Sequence, residues 1–170
     1  VFMPVFGLNN GIIPVIAYNY GAGSKDRVVK TIKHGTAYAV VILTVGLILF
    51  QVIPGPMLRM FNASDTMMSL GIPALRIIST SFFFAAFSIA CSAAFQAMGK
   101  AVYSMVISIV RQLLVLLPVA FGLAMLGNVD LVWWSFPIAE VAAIILTVFF
   151  MQKMNREIIQ KIGNTSQVAS

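Results

Sequence analysis

The sequence predicts an all-α protein, a polytopic bundle of transmembrane helices, and three observations carry that reading. Hydrophobic residues make up 60% of the chain and charged ones 9%, against the ~25% charged expected of a soluble domain. The mean hydropathy is +0.97. After Arg76 no charge occurs for 23 residues, more than the ~20 apolar residues that cross a bilayer core as a helix. In 170 residues, spans of about 20 each leave room for about five helices and almost none for a soluble domain. The expected transmembrane bundle covers residues 1–152 and a tail covers 153–170.

The first expected span, residues 1–20, is interrupted by Pro4, Gly7, Asn9, Asn10, Gly11 and Pro14. Backbone broken in this way is tolerated in lipid only where it is buried in protein or lines a cavity, so this helix is expected to face the interior. Asn9 and Asn10 fit two roles: lining a substrate path, or hydrogen-bonding a neighbouring helix. The next stretch, in which Lys25, Arg27, Lys30 and Lys33 outnumber Asp26, reads as a loop. An excess of Lys and Arg there marks the cytoplasmic side. His34 at its edge has no second ligand at metal spacing, and no metal site is assigned to it.

The second span, 35–53, is uncharged throughout and ends at Pro54-Gly55-Pro56, which removes amide donors and restricts the preceding residue. Arg59 and Asp65 balance each other in the following loop, as suits the outer side. The third span, 67–98, carries Ser81, Ala85, Ser88 and Ser92 at steps of three and four. Small residues so spaced let helix backbones approach closely in a membrane. Phe82, Phe83, Phe84, Phe87 and Phe95 supply bulk on the other side, so this span is expected to be the packed central helix. A tight turn at Gly99-Lys100 leads to the fourth span, 101–125, which contains Arg111 and, further along, Pro118. Gly127 to Asp130 makes a short turn. The fifth span, 131–152, opens on Trp133 and Trp134, residues suited to an interface, and contains Glu140.

Lys153, Arg156 and Lys161 against Glu157 make the tail basic, hence cytoplasmic. The basic clusters and Lys100 then fall on one face of the membrane and the two remaining loops on the other. The expectation is a multi-pass protein of the plasma membrane.

Three ionisable residues lie within spans: Arg76, Arg111 and Glu140. Each costs ~2.5–3.5 kcal/mol at a helix centre on insertion scales, so each should face protein or water and find a partner. Arg76 is near the outer end, where it can snorkel. Arg111 lies ten residues after Ala101 and Glu140 twelve before Gln152, roughly 15 Å and 18 Å deep at 1.5 Å per residue. The matched depths predict that Arg111 and Glu140 pair or share a polar network. Glu140 is then either a proton- or cation-responsive site or the structural partner of Arg111.

The net charge of +6 is explained by topology, because the basic residues sit between apolar spans and not on a surface interleaved with aromatics; no nucleic-acid partner is expected. The single Cys91 cannot form an internal disulfide. Gly21-Ala22-Gly23 follows a span and not a strand, and no GxSxG, P-loop, HExxH or paired carboxylates occur. An enzyme is not expected. The chain starts on Val, already inside apolar sequence and without a basic leader segment, so it is expected to be a fragment whose upstream part is missing.

The stretch Gly11-Ile12-Ile13-Pro14-Val15-Ile16-Ala17-Tyr18-Asn19-Tyr20-Gly21-Ala22-Gly23, with Arg27 after it, resembles the end of the second helix in the C-terminal half of multidrug and toxic compound extrusion (MATE) transporters. Phe95-Gln96-Ala97-Met98-Gly99-Lys100 resembles the end of the fourth helix of that half. Arg111 followed by Pro118, and Pro137-Ile138-Ala139-Glu140, resemble its last two. The resemblance implies a transporter of twelve helices in two six-helix halves, of which this chain is the last five. It implies export of amphipathic organic cations in exchange for Na⁺ or H⁺, with no other cofactor, and a missing N-terminal half as partner alongside membrane lipid. Transporters of this kind bind near the midplane between repeats. Some Na⁺-coupled relatives carry an acidic residue on the tenth helix, and none occurs between Thr66 and Gly99. Coupling is therefore expected to rest on carboxylates upstream of Val1 or on Glu140. Asn9, Asn10 and Phe87 are the substrate-cavity candidates. The rival readings are a lipid-linked saccharide flippase of the same superfamily, with Arg76 and Arg111 for pyrophosphate, and a non-catalytic membrane scaffold.

Overall fold

The computed structural model describes residues 2–127 and 129–162, and among them it contains helices and turns but no strand. In chain order the helices are α1 (Phe2–Gly21), α2 (Lys25–Val52), α3 (Pro54–Met60), α4 (Asp65–Ser79), α5 (Phe82–Ala97) and α6 (Ala101–Ile109). A π-helical segment, Val110–Leu116, continues α6 into α7 (Leu117–Ala124) as one rod. The short α8 (Val129–Val132) precedes α9 (Ser135–Glu157), which ends in a 3₁₀ turn at Ile159–Lys161. The expected tail 153–170 is thus helical at its start, and its last eight positions, 163–170, lie outside the described residues.

Among the described residues three segments are long and apolar enough to cross a membrane: Lys25–Val52, Ala101–Ala124 and Val129–Lys161. The pair α4 and α5 makes a fourth if counted as one broken span. Helix α1 has the length, at 20 residues, but Asn9, Asn10 and Asn19 dilute its apolar content. The expectation that it faces the interior holds for one face only: Asn9 and Asn19 are buried, whereas Met3, Phe6 and Tyr18 are exposed, because α1 packs on α2 and α5 along one side.

Two expectations about boundaries are corrected. The basic stretch read as a loop before residue 35 is helical from Lys25 onward. Ser24 precedes it, Asp26 sits in the first turn where a negative charge favours the helix dipole, and Val28 is fully buried against the bundle. Burial of Val28 anchors a helix that its polar neighbours alone would leave frayed. The third expected span is not one helix either: α4 and α5 meet at 52°. The cause is Ser79-Thr80-Ser81. Ser79 Oγ donates to the Arg76 carbonyl at 3.0 Å, Thr80 Oγ1 to the Ile77 carbonyl at 2.6 Å and Ser81 Oγ to the Ile78 carbonyl at 2.6 Å. Three successive hydroxyls that take up carbonyls of the preceding turn compete with the helical ladder and bend it. Gln51, near the end of α2, ties down the same corner by donating to the Arg76 carbonyl and to Ser79 Oγ.

Helix α5 is central, packing against α1, α2, α6 and α9. Ala85, Ala86, Ser88, Ala90, Ala93 and Ala94 are buried, so its small face is the closely packed one. The phenylalanines do not share one side: Phe82 and Phe95 are buried, whereas Phe83 and Phe84 are exposed. Two apolar clusters divide the core. One gathers the end of α1 (Ile16), the start of α2 (Val28), the end of α5 (Phe95) with Met98 just after it, the first third of the α6 rod (Ile107) and the end of α9 (Met154). The other joins Val5, Leu43 and Phe82. The first cluster therefore draws the basic termini of these helices to one end of the bundle, which is the arrangement the alternation of loop charges requires.

Gly99 supplies the left-handed residue (φ 74°) that turns α5 into α6. The Lys100 amide donates to the Phe95 carbonyl at 2.8 Å and the Gly99 amide to the Gln96 carbonyl at 3.1 Å, a Schellman cap that needs glycine there. The outer surface carries many exposed large side chains, among them Leu113, Leu114, Phe121, Ile145 and Phe149. So large an apolar exterior fits lipid and not water.

Candidate functional site

Between α1, α5, the α6 rod and α9 lies a cavity of about 530 Å³. Each wall has a reason in the sequence. From α1 come Asn9 and Asn10 beside Phe2, Phe6 and Ile13. From α5 come Ser88, Ser92 and Gln96 at steps of four, and from the rod Ser104, Ser108 and Arg111 at steps of four and three, so each set lines one helix face. From α9 come Phe136, Ala139 and Glu140. The result is half amide, hydroxyl and ion pair, half aromatic and aliphatic.

Arg111 Nη1 donates to Glu140 Oε1 at 3.1 Å across the cavity wall. The side chains are 28% and 13% exposed, which leaves both charges largely withdrawn from solvent and dependent on each other. Neither is saturated. Arg111 Nε and Glu140 Oε2 are buried and have no hydrogen-bond partner among the described residues. Arg111 lies in the π-helical segment, and π turns are found preferentially at functional sites. Pro118 accounts for the widening: without an amide hydrogen it cannot close the α turn on the Leu114 carbonyl, and its ring crowds that oxygen.

Asn9 both lines the cavity and bonds a neighbouring helix. Its Nδ2 donates to the Ile89 carbonyl of α5 at 3.1 Å, while its Oδ1 is buried without a partner among the described residues. Asn10 is exposed at the cavity wall. Phe87 lies elsewhere: it lines a separate crevice between α2 and α9, because on α5 it is one residue from Ser88 and so points about 100° away from the serine face. Arg76 also lies outside the cavity, exposed on α4. The structure thus brings Asn9, Asn10, Arg111 and Glu140 to one place and leaves Phe87 and Arg76 out of it. Sequence reading missed Gln96, Ser104, Ser108 and Gln112. Their signal was available, as polar residues at helical spacing on otherwise apolar helices.

No group of three or more His, Cys, Asp or Glu that could hold a metal occurs among the described residues. What the cavity offers a ligand is an aromatic wall for apolar bodies, amides and hydroxyls for orientation, and one carboxylate oxygen with unused acceptor capacity.

Solved structures share the fold that surrounds this cavity. That of the MATE multidrug transporter DinF-BH, determined as a ligand complex, is 29% identical, with a TM-score of 0.82 over 91% of this chain and 34% of that one. An inward-facing MATE family transporter at 20% identity and a TM-score of 0.84, over 95% of this chain and 38% of that one, shares the fold. Among curated relatives, the probable multidrug resistance protein NorM of Thermotoga maritima is 29% identical over 71% of this chain. The multidrug export protein MepA of Staphylococcus haemolyticus is 28% identical over 91% of it. The chain spans 26% and 34% of the length of these two relatives. The family model MatE matches residues 1–121, covering the YNYGA stretch, the small-residue helix α5 and Arg111, and on that match the chain belongs to the MatE family.

Proposed function

We propose that these helices form part of a multidrug exporter that expels amphipathic organic cations in exchange for Na⁺ or H⁺. One observation carries the reading: a cavity inside the helical bundle joins an aromatic wall to a carboxylate, Glu140, whose second oxygen has no partner among the described residues. An amphipathic cation needs both features, an apolar surface for its body and an acceptor for its charge. A coupling ion needs the same oxygen, so Glu140 is the residue at which substrate and ion would compete. The relatives named as multidrug proteins extend well beyond the 26% and 34% of their length matched here, so a further helical half is proposed as the partner of this one. The basic end gathered around Ile16, Met98 and Met154 would face the cytoplasm.

The flippase reading is weaker on the same geometry. Arg76 is outside the cavity, and Arg111, though its Nε is without a partner among the described residues, shares its charge with Glu140, so a pyrophosphate would meet a single guanidinium there. Efflux of ethidium, an aromatic cation, by the full-length protein in proteoliposomes, measured under separate Na⁺ and H⁺ gradients, tests the proposal. Faster efflux under one gradient, lost in Glu140→Gln, is the expected result. Efflux indifferent to both gradients would sink the antiporter.

A further inference from the structure

A second hollow shares no lining residue with the cavity that holds Arg111 and Glu140. Helices α2 and α9 both pack on α5, and at the basic end the gap between them is a crevice of about 420 Å³. Its size lies within the ~300–1,000 Å³ range of ligand pockets. Phe87 of α5, Val29 and Ile32 of α2 and Met151 of α9 make it apolar. Its polar groups are few: Lys33 and Thr36 on α2, and Gln152 and Asn155 on α9.

The order of these groups along the helices matters. Lys33 stands eight residues into α2 from Lys25, about 12 Å from the start of the helix, and Asn155 is within the last turn of α9. Both are exposed, while Phe87 and Met151 are half-buried further in. The crevice therefore runs from an apolar interior to a cationic and amide rim, on a bundle whose exterior is apolar. Among the described residues Lys33 has no acidic partner, whereas Lys153 on α9 is engaged over the Tyr103 ring at 5.9 Å. The free ammonium would repel a cationic drug. It would attract an anion, and the apolar interior requires that the anion carry a hydrocarbon tail.

We propose that this crevice binds one anionic glycerophospholipid, with an acyl chain against Phe87 and Met151 and the phosphate at Lys33. Gln152 and Asn155 supply amide hydrogen bonds to the headgroup. Lipid, and not a soluble phosphate, is the occupant because most of the lining is hydrocarbon, which a free phosphate cannot use.

Native mass spectrometry of the full-length protein in mild detergent tests this, with dioleoyl phosphatidylglycerol and dioleoyl phosphatidylcholine as probes. Wild type should hold a one-to-one phosphatidylglycerol adduct in preference to phosphatidylcholine. Lys33→Ala should weaken the phosphatidylglycerol adduct about fivefold, the effect of one near-surface cation on an anionic lipid, and leave phosphatidylcholine unchanged. Thr36→Phe, which fills the crevice, should remove both adducts while the melting temperature in detergent stays near that of wild type. Glycerol phosphate in excess should not displace the lipid. Equal retention of the two lipids by wild type, displacement by glycerol phosphate, or an undiminished phosphatidylglycerol adduct in both variants would each overturn the proposal.

Discussion

Arg111 and Glu140 meet at 3.1 Å although 29 residues separate them, one in the widened π turn of the α6 rod and the other near the start of α9. The contact joins two helices that flank the cavity, so it holds the wall as well as furnishing its charge. Removing either partner leaves the other charge largely buried and unmatched. Arg111→Ala and Glu140→Ala should each destabilise the folded protein by about 1.5–3 kcal/mol, as for a hydrogen bond between charged groups. The double variant should lose clearly less than the sum. Melting in detergent of the two single variants and the double variant measures this; strictly additive losses would show that the two residues do not depend on each other.

The contact between α1 and α2 turns on Gly35, where an added Cβ would come within 2.5 Å of Ile12 Cδ1. That atom is the end of a flexible side chain, so a small addition is accommodated by moving it, whereas a large one is not. Gly35→Ala should change stability by no more than about 1 kcal/mol, because the gain in helix propensity offsets the shift of Ile12. Gly35→Leu should cost about 1–3 kcal/mol through overpacking. Comparing the two melting temperatures separates close approach from propensity, and equal values would show that the helices are not in tight contact there.

Much of the fold is legible in the sequence because lipid imposes a simple rule, that apolar length makes a span. The rule fails where local hydrogen bonding or burial overrides composition. Val28 extends α2 ten residues ahead of its expected start because its burial rewards helix in a charged stretch. Ser79, Thr80 and Ser81 break the central span although nothing in their hydropathy marks a boundary. Within the site, the pairing of Arg111 with Glu140 is readable from depth, since a buried charge must find its opposite. Phe87 lines the other crevice for a geometric reason: neighbouring residues on a helix face different directions, and Ser88 holds the one toward the cavity of Arg111 and Glu140.

The bend between α4 and α5 should depend on those three hydroxyls. With Ser79, Thr80 and Ser81 all replaced by alanine, the carbonyls of Arg76, Ile77 and Ile78 are released to the backbone ladder, and the 52° angle should fall. Spin labels at exposed Met67 on α4 and exposed Gln96 on α5 should then move apart in double electron–electron resonance, since straightening lengthens the rod. An unchanged distance would assign the bend to packing around Gln51 and not to the hydroxyls.

Pro118 sets the widened turn that carries Arg111, so its replacement should separate stability from transport. In Pro118→Ala an amide becomes free to close on the Leu114 carbonyl, and the helix interior sheds a penalty of up to about 3 kcal/mol. Tightening a π turn to an α turn rotates one part of the helix against the other by about 100° for the residue absorbed, which carries Arg111 away from Glu140. The full-length variant should therefore melt at or above the temperature of wild type while its ethidium efflux falls. Glu140 would then be left without its cation, so Pro118→Ala combined with Glu140→Ala should be more stable than Pro118→Ala with Glu140 retained. A variant that keeps full efflux would show that the widened turn is incidental to the cavity; one that merely misfolds would show that the proline is needed for packing and not for register.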